Sequence, residues 1–307
     1  MEVLKSLINI PGEKKISLII GNFDGVHVGH QSILNFISDA AKKDDELFVV
    51  MTFIPHPRKI LYPEEAHFLI NTYEDRRSFL EKAGVDYIIE IDFTRDFSTQ
   101  DPDDFIQKYI LPQPNVSHFY VGYDFSFGSN KSGDSDLLNQ YADSFKVINL
   151  REFKSQQAKV SSSVLRENIS NGKMADVSKL LGRDFFLTGR IVKGQGRGRT
   201  IGFPTANMLY SNDIIIPATG VYITKTCIKD LTYYSLTNIG KNPTFETSNE
   251  LNVETHILDF DLDIYGESIS VLFLKKIRDE IKFESANQLI EQIDKDKQVA
   301  IEYFKNA

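Results

Sequence analysis

The feature that most constrains this chain is a change of hydrophobic period partway along it. In the first half, short apolar runs alternate with helical patterns. Residues 16–20, 47–53, 87–91, 118–121 and 145–150 read as strands. Between them Ile33, Leu34, Ile37 and Ala41 fall on one helical face, and Phe79 and Leu80 sit in a charged helix over 74–83. Asp101-Pro102 reads as an N-cap followed by proline at the first helical position. Such alternation predicts a Rossmann-like α/β domain, a parallel sheet with helices on both faces. From about residue 184, strand-like runs follow one another directly, at 185–193, 221–229, 233–239, 251–259 and 268–277. That pattern predicts an antiparallel β-barrel or sandwich. A helix over 285–304 closes the chain, with Leu289, Ile290, Ile293, Ala300 and Ile301 as its apolar stripe. Two domains are expected, 1–183 and 184–307, joined through the helical stretch 161–181; 307 residues are enough for two cores.

Composition narrows the function classes. The formal charge is -8, so the chain lacks the basic footprint of a nucleic-acid binder and must hold any phosphate with local devices. No apolar run approaches the roughly 20 residues that cross a bilayer, and the N-terminus lacks the order of a secretory signal. Cys227 is the single cysteine and reads as a small buried hydrophobe. A cytoplasmic protein acting on small molecules is expected, with no nucleic-acid or membrane partner; its oligomeric state is open.

The densest motif of the first half is Gly21-Asn22-Phe23-Asp24-Gly25-Val26-His27-Val28-Gly29-His30. It follows a buried-strand pattern and opens an amphipathic helix. In an open parallel sheet, ligands sit at the carboxyl ends of strands, and a helix N-terminus placed there attracts anions. His27 and His30 are three residues apart, so both can face one pocket and stabilise charge in phosphoryl transfer. A Gly-rich turn with two incidental histidines, or a zinc pair, remain alternatives at this point. His56 lies between two prolines after a strand, where a ligand loop or a structural turn belongs. In the second half, Gly194-Gln195-Gly196-Arg197-Gly198-Arg199-Thr200-Ile201-Gly202-Phe203-Pro204-Thr205-Ala206-Asn207 makes a backbone-rich loop suited to covering phosphates, or an ordinary surface loop. It lacks P-loop spacing. Thr205 and Asn207 project together if extended and could bind a hard cation through oxygen.

These segments carry a resemblance. Residues 21–30 resemble the HxGH signature of the nucleotidyltransferase superfamily. Thr52-Phe53-Ile54-Pro55-His56-Pro57, Val121-Gly122-Tyr123-Asp124-Phe125-Ser126-Phe127-Gly128 with Ser132-Gly133-Asp134, and Val160-Ser161-Ser162-Ser163-Val164-Leu165-Arg166 extend it. Together they resemble the adenylyltransferase module of prokaryotic FAD synthetases. The resemblance implies that His27 and His30 hold the ATP phosphates, and that Asn22, Phe23 and Asp24, with Gly21, shape the nucleotide pocket. It implies that Ser161, Ser162 and Arg166 hold the triphosphate and that Asp124, Phe125 and Phe127 line the pocket. Val164 departs from an arginine frequent in the family.

The second half resembles riboflavin kinase. The carriers are Gly198-Arg199-Thr200-Ile201-Gly202-Phe203-Pro204-Thr205-Ala206-Asn207, Asn238-Ile239-Gly240 with Pro243-Thr244-Phe245, Glu254-Thr255-His256, and Arg278-Asp279-Glu280. The resemblance implies Mg²⁺ on Thr205 and Asn207 with ATP, nucleotide held around Gly194, Gly202 and Pro204, Glu254 as base, and Arg278 in a flap over the flavin. Lys193 stands where the family often has histidine. Riboflavin, FMN, FAD and ATP are the implied substrates and products of a bifunctional riboflavin kinase and FMN adenylyltransferase. Loss of the kinase activity, or a flavin-sensing regulator without turnover, are the alternatives.

Overall fold

A strand covered on both faces must be apolar at successive positions. Ile16–Ile20 meets that condition, being buried throughout, and lies inside a six-stranded sheet. The structure is a computed structural model that describes every residue except 65–66, 124, 151–159, 195, 197, 199–200, 242–250 and 307. Asp124, Gln195, Arg197, Arg199, Thr200 and the segment Pro243-Thr244-Phe245 therefore lie outside the described residues.

The sheet comprises β1 (Glu2–Leu4), β2 (Ile16–Ile20), β3 (Leu47–Ile54), β4 (Tyr87–Asp92), β5 (Val116–Val121) and β6 (Lys146–Asn149), in the order β1-β4-β3-β2-β5-β6. Every pairing is parallel. Alternate residues feed two cores. Leu18, Ile20, Val49, Met51 and Phe119 join Phe105, Ile106 and Ile110 on one face. Ile19, Val50, Ile88 and Tyr120 meet Leu34, Ile37 and Ala41 of α1 (Val28–Lys43) and Leu80 of α3 (Tyr73–Lys82) on the other. Between these helices lies the short α2 (Pro57–Leu61), and α4 (Arg95–Ser98), α5 (Pro102–Phe105) and α6 (Ser135–Asn139) follow. Asp101 caps α5 with Pro102 at its start, as the sequence predicts. The chain runs outward from β2 to β3 and later from β2's other side to β5, so the strand order reverses beside β2. Crevices at such reversals, at the carboxyl ends of the strands, are where open α/β sheets bind ligands.

The opposite, amino edge of the sheet carries a buried carboxylate. Glu46, just before β3, accepts from Ser17 Oγ at 2.6 Å, Ser117 Oγ at 2.7 Å and the His118 imidazole at 2.9 Å. Burial alone would raise its pKa, but these hydrogen bonds and the charge of His118 outweigh it and leave the carboxyl below its ordinary value.

The second fold is a closed antiparallel barrel. Its strands are β7 (Phe185–Val192), β8 (Ala206–Tyr210), β9 (Gly220–Ile228), β10 (Leu231–Lys241), β11 (Leu251–Ile257) and β12 (Ser268–Arg278), ordered β10-β11-β8-β7-β12-β9. Part of the interior is polar. Thr224, Thr226, Ser235, Thr237 and Thr255 are almost completely buried. They satisfy one another through a chain of hydroxyl contacts of 2.8–2.9 Å, which is the condition for burying polar groups without loss. Outside, Val221, Ile223 and Leu236 are covered by Ala300, Tyr303 and Phe304 of the last helix, α9 (Ala286–Asn306). Ala300 of the expected stripe is fully buried and its other members are half-buried, but the stripe omits Asp296, the other buried residue of the helix. Cys227 also differs from expectation: it is half-buried on the outer face of β9, opposite Thr232.

The linking stretch is two helices, α7 (Ser162–Ser170) and α8 (Met174–Leu181). Gly172 breaks them apart at φ 69°, a left-handed conformation that glycine adopts without strain. By its contacts the chain divides into one unit of Met1–Ala66 and Thr72–Ser161 and a second of His67–Asn71 and Ser162–Ala307. Thus α7 and α8 belong to the barrel unit, where α8 packs on β7 and β12. So does the strap His67–Asn71, which bridges Leu69 to Ile214 and takes the Ile215 N–H onto the Leu69 carbonyl at 2.8 Å.

Candidate active sites

In the sheet unit, the loop after β2 opens with Gly21, whose amide donates to the Met51 carbonyl at 3.1 Å. A Cβ on Gly21 would meet the Phe23 ring at 2.9 Å, so the turn needs glycine there. Phe23 and Val26 are held at φ 48° and 37°, left-handed values costly for a non-glycine residue. His27 is the N-cap of α1: its Nδ1 accepts from the His30 N–H at 3.1 Å. In the neutral ring the proton therefore sits on Nε2, which is left as the donor. The His27 and His30 rings stack at 3.7 Å with 12° between planes, and Phe23 meets His30 edge-on at 5.2 Å. Burial, helped by the charge of His27, pushes the His30 pKa well below its usual value. His30 Nδ1 and Asn22 Oδ1 are buried without a hydrogen-bond partner among the described residues. Asp24 is 4% exposed.

The other sequence-derived residues of this unit divide. His56 is buried, and its Nδ1 caps α2 by accepting from the Arg58 N–H at 3.2 Å. Phe125 and Phe127, stacked at 5.4 Å, pack against the apolar core under the carboxyl end of β5. Ser161 ends this unit, while Ser162 and Arg166 fall in the barrel unit, in α7. There Arg166 Nε donates to the Phe68 carbonyl at 2.7 Å, and its guanidinium lies 5.8 Å from the Phe68 ring centre.

In the barrel unit, antiparallel register places Asn238, Glu254 and Asn207 directly opposite one another on β10, β11 and β8. Directly opposed residues project to the same side. Thr255 and Thr237 take the interior, so this polar row lies on the outer face. Gly194 sits against it: any Cβ there would collide with the Asn207 amide. His256, on the same face as Glu254, donates from Nδ1 to the Pro204 carbonyl at 2.8 Å and meets the Phe203 ring edge-on at 5.6 Å. These contacts tie the segment before β8, with Thr205, to β11. Gly202 has φ 86°. Arg278 is placed in an ion pair: Nε and Nη2 fork onto Asp296 of α9 at 2.9 and 2.7 Å, and Gln292 also donates to that carboxylate. Among the described residues no group of three acidic, histidine or cysteine side chains forms a metal cluster.

Sequence reasoning put His256 on the face of Glu254, but it gave Asn238 no role beyond the resemblance and missed Arg76 altogether. Asn238 joins that face only through the β10–β11 register, which pairs it with Glu254. Arg76 gave no signal, being one charge among several in a charged helix.

The comparisons follow both halves. A family model described as FAD synthetase matches residues 10–164, and one described as riboflavin kinase matches 181–304. A bifunctional riboflavin kinase/FMN adenylyltransferase of Bacillus subtilis is 37% identical over 301 residues, covering 96% of this chain and 94% of the relative. One from Escherichia coli is 33% identical over 292 residues, with 94% and 92% covered. A crystal structure described as a macrolide-efflux protein from Streptococcus pneumoniae is 35% identical, covers 97% of each chain and gives a TM-score of 0.86. In this chain no helix among the described residues is long and apolar enough to cross a membrane.

Proposed function

The chain belongs to the family of bifunctional riboflavin kinase/FMN adenylyltransferases, and we propose that its two reactions are divided between the barrel and the parallel sheet. The proposed working boundary is 1–183 for adenylylation and 184–307 for phosphorylation. In the barrel, the riboflavin 5′-hydroxyl attacks the γ-phosphate of ATP, giving FMN and ADP. Glu254 takes the hydroxyl proton, as a carboxylate held against an alcohol can. Thr205 and Asn207 offer a hydroxyl and an amide oxygen beside that carboxylate, a donor set suited to Mg²⁺. The ion, when bound, neutralises phosphate charge. Gly194, Gly202 and Pro204 shape the phosphate loop. Arg278 acts over the flavin from its anchorage on Asp296.

In the sheet unit, the FMN phosphate attacks the α-phosphate of a second ATP and pyrophosphate leaves. His27 donates from Nε2 and His30 from its neutral ring to the phosphate oxygens that gain charge. Gly21, Asn22, Phe23 and Asp24 form the nucleotide wall, with His56, Asp124, Phe125 and Phe127 assigned to the pocket lining. The triphosphate role of Ser161, Ser162 and Arg166 rests on the family resemblance alone, since Ser162 and Arg166 belong to the barrel unit. No protein nucleophile is needed in either step; positioning carries both. The cytoplasm, where riboflavin and ATP are available and a free thiol persists, is the proposed compartment.

The observation that carries the sheet assignment is the stacked histidine pair at the strand-order reversal. For the barrel it is the facing of Glu254 and Asn207. The test is incubation with riboflavin, ATP and Mg²⁺ and chromatography of the flavins. FMN and then FAD are expected, with neither formed after chelation. FMN accumulating without FAD rejects the sheet assignment; conversion of supplied FMN alone rejects the barrel assignment.

A further inference from the structure

Arg76 is 2% exposed, although it sits in a helix whose sequence reads as solvated. The start of α3 is fixed by a capping box, in which Thr72 Oγ1 accepts from the Asp75 N–H at 3.1 Å and Asp75 accepts from the Thr72 N–H. One turn of the helix then reaches two loops at the carboxyl edge of the sheet. Tyr73 Oη accepts from the His56 N–H at 2.8 Å, and Arg76 Nη1 donates to the Asn22 carbonyl at 3.0 Å. The Arg76 guanidinium also lies 5.0 Å from the Tyr73 ring centre.

Glu90 is the obvious counter-ion, but it is engaged elsewhere. Arg77 takes it with both ends of its fork, at 2.8 and 2.6 Å, and leaves Arg76 Nη2 at 3.9 Å. Arg76 Nε and Nη2 have no hydrogen-bond partner among the described residues, and neither has the neighbouring buried Thr52 Oγ1, whose residue pairs in register with Glu90. Burying a charge so incompletely paired is expensive, and such a group persists where function depends on it. Burial lowers the Arg76 pKa, while the charges of Glu90, Tyr73 and Asp24 oppose that.

What Arg76 holds explains its position. Asn22 begins the turn in which Phe23 and Val26 adopt left-handed backbone angles. Such angles persist only where the surroundings over-determine them, and they gather at functional sites. Nη1 is a fixed donor on the carbonyl that enters this turn. We propose that Arg76 is a positioning residue for adenylyl transfer, clamping the Asn22–Val26 turn so that the nucleotide wall and the histidine pair keep their geometry. The inference rests on the adenylyltransferase reading of the sheet unit.

The test uses the full chain. FAD formation by the parent is measured first; its absence rejects the underlying reading and not the clamp specifically. Arg76→Lys keeps the charge and the aliphatic stem but gives up the fork. It is expected to raise the ATP KM of FMN adenylylation and lower its kcat, each about tenfold or more, within the roughly 10²-fold that a misplacement of about 1 Å costs. Riboflavin phosphorylation in the same preparation should stay within about twofold of the parent, the scatter of independent sites. A merely unfolded fraction lowers apparent kcat and leaves KM unmoved, and that outcome overturns the proposal. In Arg76→Ala, millimolar guanidinium should restore adenylylation while urea, its neutral counterpart, should not. Parent kinetic constants in Arg76→Lys, or a folded Arg76→Ala that guanidinium fails to rescue, likewise overturn it.

Discussion

His27 and His30 share one turn of α1, yet they stand differently. The first is tied down as a helix cap, and the second keeps a buried ring nitrogen without a protein partner among the described residues. His30→Ala therefore removes a donor while the cap acceptor on His27 remains. Losing one preorganised donor costs about 10²–10³ in rate. FAD formation from FMN is expected to fall by that amount in initial-rate assays, with riboflavin phosphorylation unchanged. Glu254→Gln should give the mirror result, since it keeps the shape and loses the base. At Gly194 the expectation follows from space alone: Gly194→Ala drives a methyl into the Asn207 amide. Riboflavin phosphorylation should drop roughly 10²-fold, as expected for displacement of a positioning group by about 1 Å. Full kinase activity in Gly194→Ala would show that the amide can move without consequence. The glycine-rich motifs were legible in the sequence because only glycine serves at their close approaches, so the residue type itself carries the geometry. Arg76 and the Arg278–Asp296 pair were not legible. Arg76 reaches a loop 54 residues away and Arg278 pairs across 18 with the next element, and a charged residue in a polar helix looks the same whether it faces water or a buried carbonyl.

The strands of the parallel sheet were legible to within a few residues, since burial on both faces demands continuous apolar runs, and Ile16–Ile20 supplies one. β1 and β8 were missed. Three residues are too few to show a period, and β8 lies in a stretch read as a phosphate loop. The barrel strands were harder to read as to face, because Thr224, Thr226, Ser235 and Thr237 put hydroxyls where alternation predicts hydrocarbon. The amino edge of the sheet was not foreseen at all: Glu46 joins β2, β3 and β5 through serine and histidine contacts that only the register creates. The carboxyl titrates lower folded than unfolded, so its contribution is present above the unfolded glutamate value, about 4.3. That contribution is lost as pH falls through the lower folded value. Glu46→Gln is therefore expected to destabilise the sheet unit near neutral pH by about 1.5–3 kcal/mol, the range for a hydrogen bond to a charged group. It should also flatten the acid limb of stability. Denaturant midpoints of parent and variant measured across the acid range test this, and parallel curves would remove Glu46 from the acid response.

At the scale of the molecule, the change of period in the sequence marked where the barrel strands begin but not which residues pack with them. Met174, Val177 and Leu181 of α8 are each no more than 2% exposed, and α8 packs on β7 and β12. Burying one such side chain contributes about 1.5–3 kcal/mol. A fragment of residues 162–307 is therefore expected to melt cooperatively and at a higher temperature than one of residues 184–307, both followed by circular dichroism. Equal melting temperatures would mean that α7 and α8 add nothing to the barrel. Even the longer fragment lacks the strap His67–Asn71, whose Leu69 carbonyl accepts from Ile215. On the ribosome this order of pieces has a temporal side. The strap emerges early and its partner at Ile214 emerges far later. At about 5–20 residues per second, the wait is roughly 7–30 s. Through that interval Phe68, Leu69 and Ile70, all buried in the finished protein, have no Ile214 to meet, so the strap must wait for most of synthesis before its apolar side chains can be covered there.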